Sequence, residues 1–330
     1  APRDLATLLG GLLLAAGAIA TAVQHRDRFI AVLMLGLVGL MTSLLFARFS
    51  APDLALTQLL VEIVTVILVL LAMYFLPAAT PSEASVTRRA RDTLLAVLAG
   101  SGAAALTYAM LTRSTDSISA FHLAESKPGG GGTNVVNVLL VDFRGFDTLG
   151  EITVLGIAAV GILVMLRGLL LEGPAADLLG RPWSRERYPI VLEAVSKPLL
   201  PIALLVSAFL FLRGHNEPGG GFIAALVTGV ALILQYIAQG TSRTQAQFRG
   251  NALPLIGGGI LIAVLTGIGS WVVGYPFLTS TYTYVTLPLV GKFEIASAML
   301  FDLGVYLGVV GTVLLILTGL GRLSPREESA

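Results

Sequence analysis

The sequence predicts an all-α, polytopic membrane protein with about nine transmembrane helices and a short interfacial helix. Of its 330 residues, 55% are hydrophobic and 12% are charged, whereas soluble domains have about 25% charged residues. The mean hydropathy is +0.85. Apolar stretches of about 20 residues, the length that spans a bilayer as a helix, recur along the whole chain.

Nine apolar stretches are the predicted spans, at 4–24, 29–47, 53–76, 92–112, 149–171, 199–212, 221–239, 253–274 and 294–320. The first is too long for the apolar core of a signal peptide, and a second span follows it at once. The sixth is short and lies beside Pro198 and Pro201, so we expect it to begin earlier or to be irregular there. The sequence starts without Met, so we expect a trimmed chain or part of a longer product.

The basic residues of the connections predict the orientation. Nine spans place the two ends of the chain on opposite sides of the membrane. The side that holds the N-terminus carries seven of the 21 basic residues, namely Arg3, Arg48, Arg113, Lys127, Arg144, Arg213 and Lys292. The other fourteen are on the opposite side. Because cytoplasmic loops are enriched in Lys and Arg, we expect the N-terminus outside and the C-terminus in the cytoplasm.

Two connections divide the chain into modules. The outer one, 113–148, contains a Pro-Gly run at 128–132, followed by a segment whose apolar face over 134–146 predicts a short helix in the membrane interface. The cytoplasmic one, 172–198, mixes prolines with alternating charges and indicates a linker. A second Pro-Gly-Gly-Gly run, at 218–221, forms either a flexible link or a close backbone approach.

Glu62 is the most informative residue, because it is the single charged residue between Leu54 and Leu76. A carboxylate roughly 14 Å inside a membrane helix costs several kcal/mol unless it is protonated, paired or hydrated. Such a group marks an ion or proton path, and the competing interpretation is a protonated acid that ties helices together. Gln58 and Thr65 share its helical face, and this polar stripe must face protein or water.

Three further carboxylates are candidates for the same path. Asp147 and Glu151 are four residues apart and so point the same way. The pair would suit a shared proton or a Na⁺ site near Glu151, although a carboxylate in the first helical turn is also favoured by the helix dipole. Asp302 is predicted about 12 Å into the last span, where the alternative is a buried acid that bonds a neighbouring helix.

Several classes of function are excluded or disfavoured. The chain has no cysteine, which excludes disulfides, thiolate zinc sites and cysteine-ligated iron–sulfur clusters within it. The three histidines are too far apart in sequence for a metal motif. No nucleotide-binding motif occurs, so we expect no cofactor. The net charge of +1 argues against a nucleic-acid partner.

Long strings of residues resemble one known family. Asn134 to Ile152 reads NVVNVLLVDFRGFDTLGEI and resembles the end of the large A-type protein of Mrp-type multisubunit cation/proton antiporters, as does TQLLVEIVTVILVLL from Thr57. The strings PIALLVSAFLFLRGHNEPGGGFIAALV from Pro201 and FDLGVYLGVVG from Phe301 resemble the B-type protein. The resemblance implies a three-helix module over 1–76, a two-helix module over 90–172 and a B-type domain over 185–322.

The resemblance implies membership of a hetero-oligomeric complex in a bacterial cell membrane that exchanges cytoplasmic protons for Na⁺ or K⁺. Glu62 matches the membrane carboxylate of the family's first module, and Glu151 matches the acidic residue that closes the two-helix motif. The family's long proton-pumping portion does not occur in this sequence, so we expect the chain to need the other antiporter subunits as partners. Two alternatives stay open: a membrane subunit of a hydrogenase or another redox-driven ion pump, and a structural subunit without an ion path.

Overall fold

A computed structural model describes residues 4–73, 85–114, 116–166, 169, 190–247, 252–287 and 291–321. Within this part of the chain, nine helices are long and apolar enough to cross a membrane. The predicted fold class is therefore confirmed. The cytoplasmic linker predicted at 172–198 lies largely outside the described residues.

The first three helices form one packed unit. They are α1 (Leu5–Val23), α2 (Arg28–Arg48) and α3 (Pro52–Met73). The carboxylate of Asp4 caps α1 by accepting the Thr7 N–H at 3.0 Å, and it also pairs with Arg48 at the end of α2. These bonds hold the pKa of Asp4 well below its usual range. The start of α1 and the end of α2 are thereby fixed at one end of the unit.

The fourth helix, α4 (Val86–Thr112), differs from the others in having no buried face. Ser85 caps it by accepting the Arg88 N–H at 3.3 Å. Each of its residues is exposed. An apolar helix with no buried side in its own chain needs lipid or another protein around it.

The outer connection is more ordered than the sequence predicts. It contains α5 (Ser119–Gly130), α6 (Val135–Val138) and a π-helical turn at Leu139–Phe143. The first three residues of the Pro-Gly run, 128–130, form the end of α5, and Gly131 caps the helix with a left-handed φ of 82°. Val138, on the predicted apolar face over 134–146, is buried, and Val141 on another side of the segment is buried as well, so the segment packs within the protein.

The remaining helices form a bundle around the last one. They are α7 (Gly145–Leu166), α8 (Ile190–Arg213), α9 (Gly221–Gln247), α10 (Leu253–Val272) and α11 (Ala298–Gly321). The α11 side chains of Phe301 and Val305 are fully buried. A Cβ on Gly259 of α10 would lie 2.5 Å from the carbonyl oxygen of Gly304, so these helices meet backbone to backbone, as small residues allow in membranes.

Several predicted spans have other bounds in the structure. The sixth begins earlier, which is one of the two outcomes expected for it, and it is a continuous helix of 24 residues that includes Pro198 and Pro201. The ninth begins at Ala298 and not at 294, because an antiparallel hairpin of β1 (Tyr282–Leu287) and β2 (Gly291–Ala296) precedes it. Asp302 is consequently only about 6 Å into its helix, and Glu294 belongs to the hairpin.

Candidate functional site

A cavity of about 410 Å³ lies where α3, α6, the π-helical turn, α7, α9 and α11 meet. It is therefore at the junction between the three-helix unit and the bundle. Most of its wall is apolar. The polar side chains that line it are Asp53, Thr57, Gln58, Asn137, Thr148, Glu151 and Asp302.

Asp302 is held at the wall of this cavity by two donors. It is 8% exposed. The side-chain amide of Asn137 donates to its Oδ2 atom at 3.2 Å, and the backbone N–H of Gly221, at the start of α9, also donates to it. These bonds favour the charged form of the carboxylate and offset part of the cost of its burial.

Asp53 is held in a similar way from the opposite side. It is in the first turn of α3 and is 7% exposed. Its Oδ1 atom accepts the backbone N–H of Gly219 at 2.8 Å. This bond joins the three-helix unit directly to the loop between α8 and α9.

The Pro-Gly-Gly-Gly run at 218–221 therefore provides a close backbone approach and not a flexible link. Gly220 has a φ of +105°, which only glycine adopts readily. A Cβ on Gly220 would lie 2.6 Å from the amide nitrogen of Asn137, and one on Gly221 would overlap the carbonyl of Asp302. Glycine lets the backbone reach carboxylates on both sides of the loop.

Glu62 is outside the cavity but is connected to it. Its half-buried carboxylate packs against α2, where a Cβ on Gly39 would overlap it. The side-chain amide of Gln58, which lines the cavity, donates to Glu62 Oε2 in a long hydrogen bond of 3.5 Å. Thr65 is exposed on the surface of α3. The three residues of the predicted polar stripe therefore have different surroundings, and Gln58 lies between the cavity and Glu62.

Asp147 and Glu151 have different surroundings. Glu151 lines the cavity and is exposed. Asp147 makes a 2.5 Å ion pair with Arg144, and its side chain is 47% exposed. In the described residues, no group of three or more His, Asp or Glu side chains is arranged to hold a metal ion. The predicted Na⁺ site near Glu151 stays a prediction.

Sequence reasoning missed Asp53 and Asn137 as members of the site. In the sequence, Asp53 is the first residue of the predicted span 53–76, and Asn137 lies within the segment 134–146 of the predicted interfacial helix. The signal in the sequence was the glycine run, because a backbone that approaches closely needs an acceptor for its N–H groups. The acceptors themselves could not be identified, since Asp53 is 166 residues from Gly219 and Asp302 is 81 residues from Gly221 along the chain.

The fold and site define a multi-pass helical membrane protein with a carboxylate-lined cavity between two helical units. Three family models match nearly the whole chain. They are MbhD, a component of MBH, over 12–78; MbhE, another component of MBH, over 87–186; and MnhB, a domain related to the MnhB component of a Na⁺/H⁺ antiporter, over 191–315.

Known proteins agree with these matches. The probable K⁺/H⁺ antiporter A/B protein of Rhizobium meliloti is 42% identical over 95% of this chain, which covers 34% of that relative. The Na⁺/H⁺ antiporter B protein of Bacillus subtilis is 45% identical over 40% of this chain and 93% of its own length. A chain of the Mrp complex from Dietzia sp. superposes with a TM-score of 0.84 and 32% identity, over 100% of this chain and 36% of that one.

The chain belongs to the Mrp-type antiporter family, and it corresponds to the C-terminal part of the A-type protein joined to the B-type protein. It is a multi-pass membrane protein whose relatives assemble with other antiporter subunits. It spans about a third of the length of the Rhizobium meliloti relative.

Proposed function

We propose that this chain is part of a bacterial cell-membrane complex that exchanges protons for Na⁺ or K⁺, and that the cavity is part of the ion path. The observation that carries the proposal is the convergence of Asp53, Glu151 and Asp302, from three helices, on one cavity. Carboxylates inside a membrane protein are retained mainly where ions or protons pass. Relatives named as antiporter subunits support the same role.

The chemistry of exchange follows from the carboxylates themselves. Each can hold either a proton or a monovalent cation, and occupancy by one disfavours the other because both neutralise the same charge. Two carboxylates in one cavity also resist joint ionisation, so that one tends to keep a proton or a cation. A secondary transporter needs no further chemistry than this alternation.

Gln58 extends the path toward Glu62. Its amide lines the cavity and reaches the Glu62 carboxylate. Glu62, Gln58, Glu151 and Asp302 are therefore the residues to which we assign the path, together with the newly found Asp53. Thr65 and Asp147 occupy the flanking surface.

Substitution of Glu151 tests this assignment. Glu151→Gln keeps the size of the side chain and removes its charge, so we expect it to reduce cation/proton exchange at least tenfold in vesicles that contain the complete complex. Asp147→Asn is the matched control, because Asp147 has its own partner in Arg144. We expect the control to keep most of the activity. Equal loss in both variants would instead favour the carboxylate pair predicted from the sequence.

A further inference from the structure

A second group of ionisable side chains lies near the cavity but does not line it. Its members come from four elements: Lys127 from α5, Asp142 from the π-helical turn, His215 from the α8–α9 loop and Glu294 from β2. We refer to these four residues as the histidine cluster. No sequence motif joins them, and the hairpin that supplies Glu294 is absent from the sequence prediction.

Hydrogen bonds tie the histidine cluster together. The ammonium of Lys127 donates to Glu294 Oε2 at 3.0 Å and to the carbonyl oxygen of Gly131 at 2.7 Å. The hydroxyl of Ser280 donates to Asp142 Oδ2 at 2.6 Å. The hairpin segment is thereby attached both to α5 and to the π-helical turn.

Two buried acceptors in the cluster have no hydrogen-bond partner in the described structure, namely His215 Nε2 and Glu294 Oε1. His215 is 6% exposed. The backbone of Gly130 bonds its ring, and because Nε2 has no partner, Nε2 is the position that is free to take a proton. Buried polar atoms without partners are rare in folded proteins, so each one calls for an explanation.

The charges of the cluster give that explanation. Lys127 contributes one positive charge, whereas Asp142 and Glu294 contribute two negative ones when ionised. A proton on His215 would balance the remaining negative charge. Burial lowers the pKa of His215, and Lys127 also lowers it, while Glu294 and Asp142 act in the opposite direction. The net direction is downward, so the ring is neutral at neutral pH and takes up a proton as the pH falls.

Other charged and titratable side chains near the cluster include Arg213, Tyr282 and Tyr284. Arg213 pairs with Glu217 at 2.7 Å in the same loop. The rings of Tyr282 and Tyr284 in β1 face the Lys127 ammonium at 5.7 Å and 5.8 Å. Desolvation opposes the charge on Lys127, but its hydrogen bonds to Glu294 and Tyr284 outweigh this and raise its pKa. Lys127 therefore stays charged while His215 titrates.

We propose that the histidine cluster is a proton-binding site separate from the cavity, where one proton binds Nε2 of His215 and Glu294 balances its charge. The α8–α9 loop that carries His215 also carries Gly219, which holds Asp53, and leads into Gly221, which holds Asp302. Proton binding at His215 is thus transmitted along six residues of backbone to the carboxylates of the cavity. The transmission rests on the proposed function, whereas the proton site does not.

The proton site is tested by measuring hydrogen–deuterium exchange at the imidazole C2 position of the intact complex between pH 4.5 and about 8, a range chosen to bracket the ordinary histidine pKa. The chain has three histidines, so the signal of His215 is read separately from those of His25 and His122. We expect His215 to titrate at a lower pH than an ordinary histidine. Glu294→Gln should move the His215 titration to still lower pH, and Lys127→Met should move it to higher pH.

Two results would overturn the proton site: titration of His215 at or above the ordinary histidine pKa, or no movement of His215 in Glu294→Gln. Transmission is tested separately by the pH profile of cation/proton exchange. In Glu294→Gln and Lys127→Met, the acid limb of the profile should shift in the same direction as the His215 titration. An unshifted acid limb would refute transmission. Absence of exchange in the unmodified complex would refute the proposed function and leave the proton measurement intact.

Discussion

The surroundings of Glu62 are compatible with two roles, and a pair of variants can distinguish them. Its carboxylate packs against Gly39 of α2, which suits a helix tie, and it accepts from Gln58, which suits a relay to the cavity. A tie needs only hydrogen bonding and size. A relay needs titration as well.

We therefore expect Glu62→Gln to abolish most cation/proton exchange while the subunits still copurify in normal amounts. The substitution keeps the size and the hydrogen bonding of the side chain but removes its proton exchange. Exchange is measured as cation-driven proton movement in vesicles, and assembly by copurification. Near-normal exchange in Glu62→Gln, combined with failed assembly in Glu62→Ala, would decide for the helix tie.

At the scale of elements, the glycine-rich segments allow close contacts with neighbouring helices and loops. The first Pro-Gly run closes α5, and the second passes between α3 and α11. In both places the absence of a Cβ is what permits the neighbouring group to approach. Gly132 gives a further example, since a Cβ there would overlap the carbonyl of His215. These segments connect helices from different modules.

This contact leads to a prediction for the α9–α11 junction. Gly221→Ala should displace the Asp302 backbone, because the new Cβ would overlap its carbonyl. We expect a loss of stability of about 1–3 kcal/mol and severely reduced exchange. Gly150→Ala in α7 is the control, since nothing lies within 4 Å of a Cβ there. Thermal unfolding of the purified complex compares the two variants, and equal unfolding temperatures would contradict the prediction.

At the scale of the whole molecule, three polar contacts join connections between spans at one end of the helices. Asp4 pairs with Arg48, Asp53 bonds Gly219, and Lys127 pairs with Glu294. These six residues lie in the predicted outer connections or at the span ends next to them, so the contacts agree with the alternation of nine spans. They do not fix which side of the membrane this end faces. The orientation rests on the distribution of basic residues.

Cysteine labelling tests that orientation, and the absence of native cysteine makes the background low. We expect a membrane-impermeant reagent added outside intact cells to modify Ala124→Cys in α5 but not Gln24→Cys between α1 and α2. Both positions are exposed. Labelling of Gln24→Cys alone would reverse the predicted orientation.

Exposure at this scale also indicates where partners bind. The α4 helix has no buried residue, although its first two turns carry Arg88, Arg89 and Arg91. Side chains of this length reach from a helix end to the polar region of a membrane. The remaining apolar surface of α4 is available to lipid and to the other subunits that the relatives possess. Within the described structure, the apolar surface of α4 is therefore not buried by the rest of the chain.

The sequence by itself determined the membrane fold, the number of spans and the family. A span is a local property, because about 20 apolar residues must satisfy their backbone within one helix. Long strings of residues were enough to identify the relatives. Glu62, Glu151 and Asp302 also stood out from the sequence, since an acid in an apolar run is conspicuous without any knowledge of its neighbours.

Only the tertiary structure decided which of these acids meet. Asp53 and Asp302 approach the same loop because packing sets the rotation and spacing of α3, α9 and α11. These helices are far apart along the chain, so no local sequence pattern encodes their relative rotation. The same is true of His215 and Glu294, which the α8–α9 loop and the hairpin bring together. The position of a span is determined within one segment, because the bilayer requires each segment to satisfy its own backbone hydrogen bonds. The composition of a site is determined by contacts between segments.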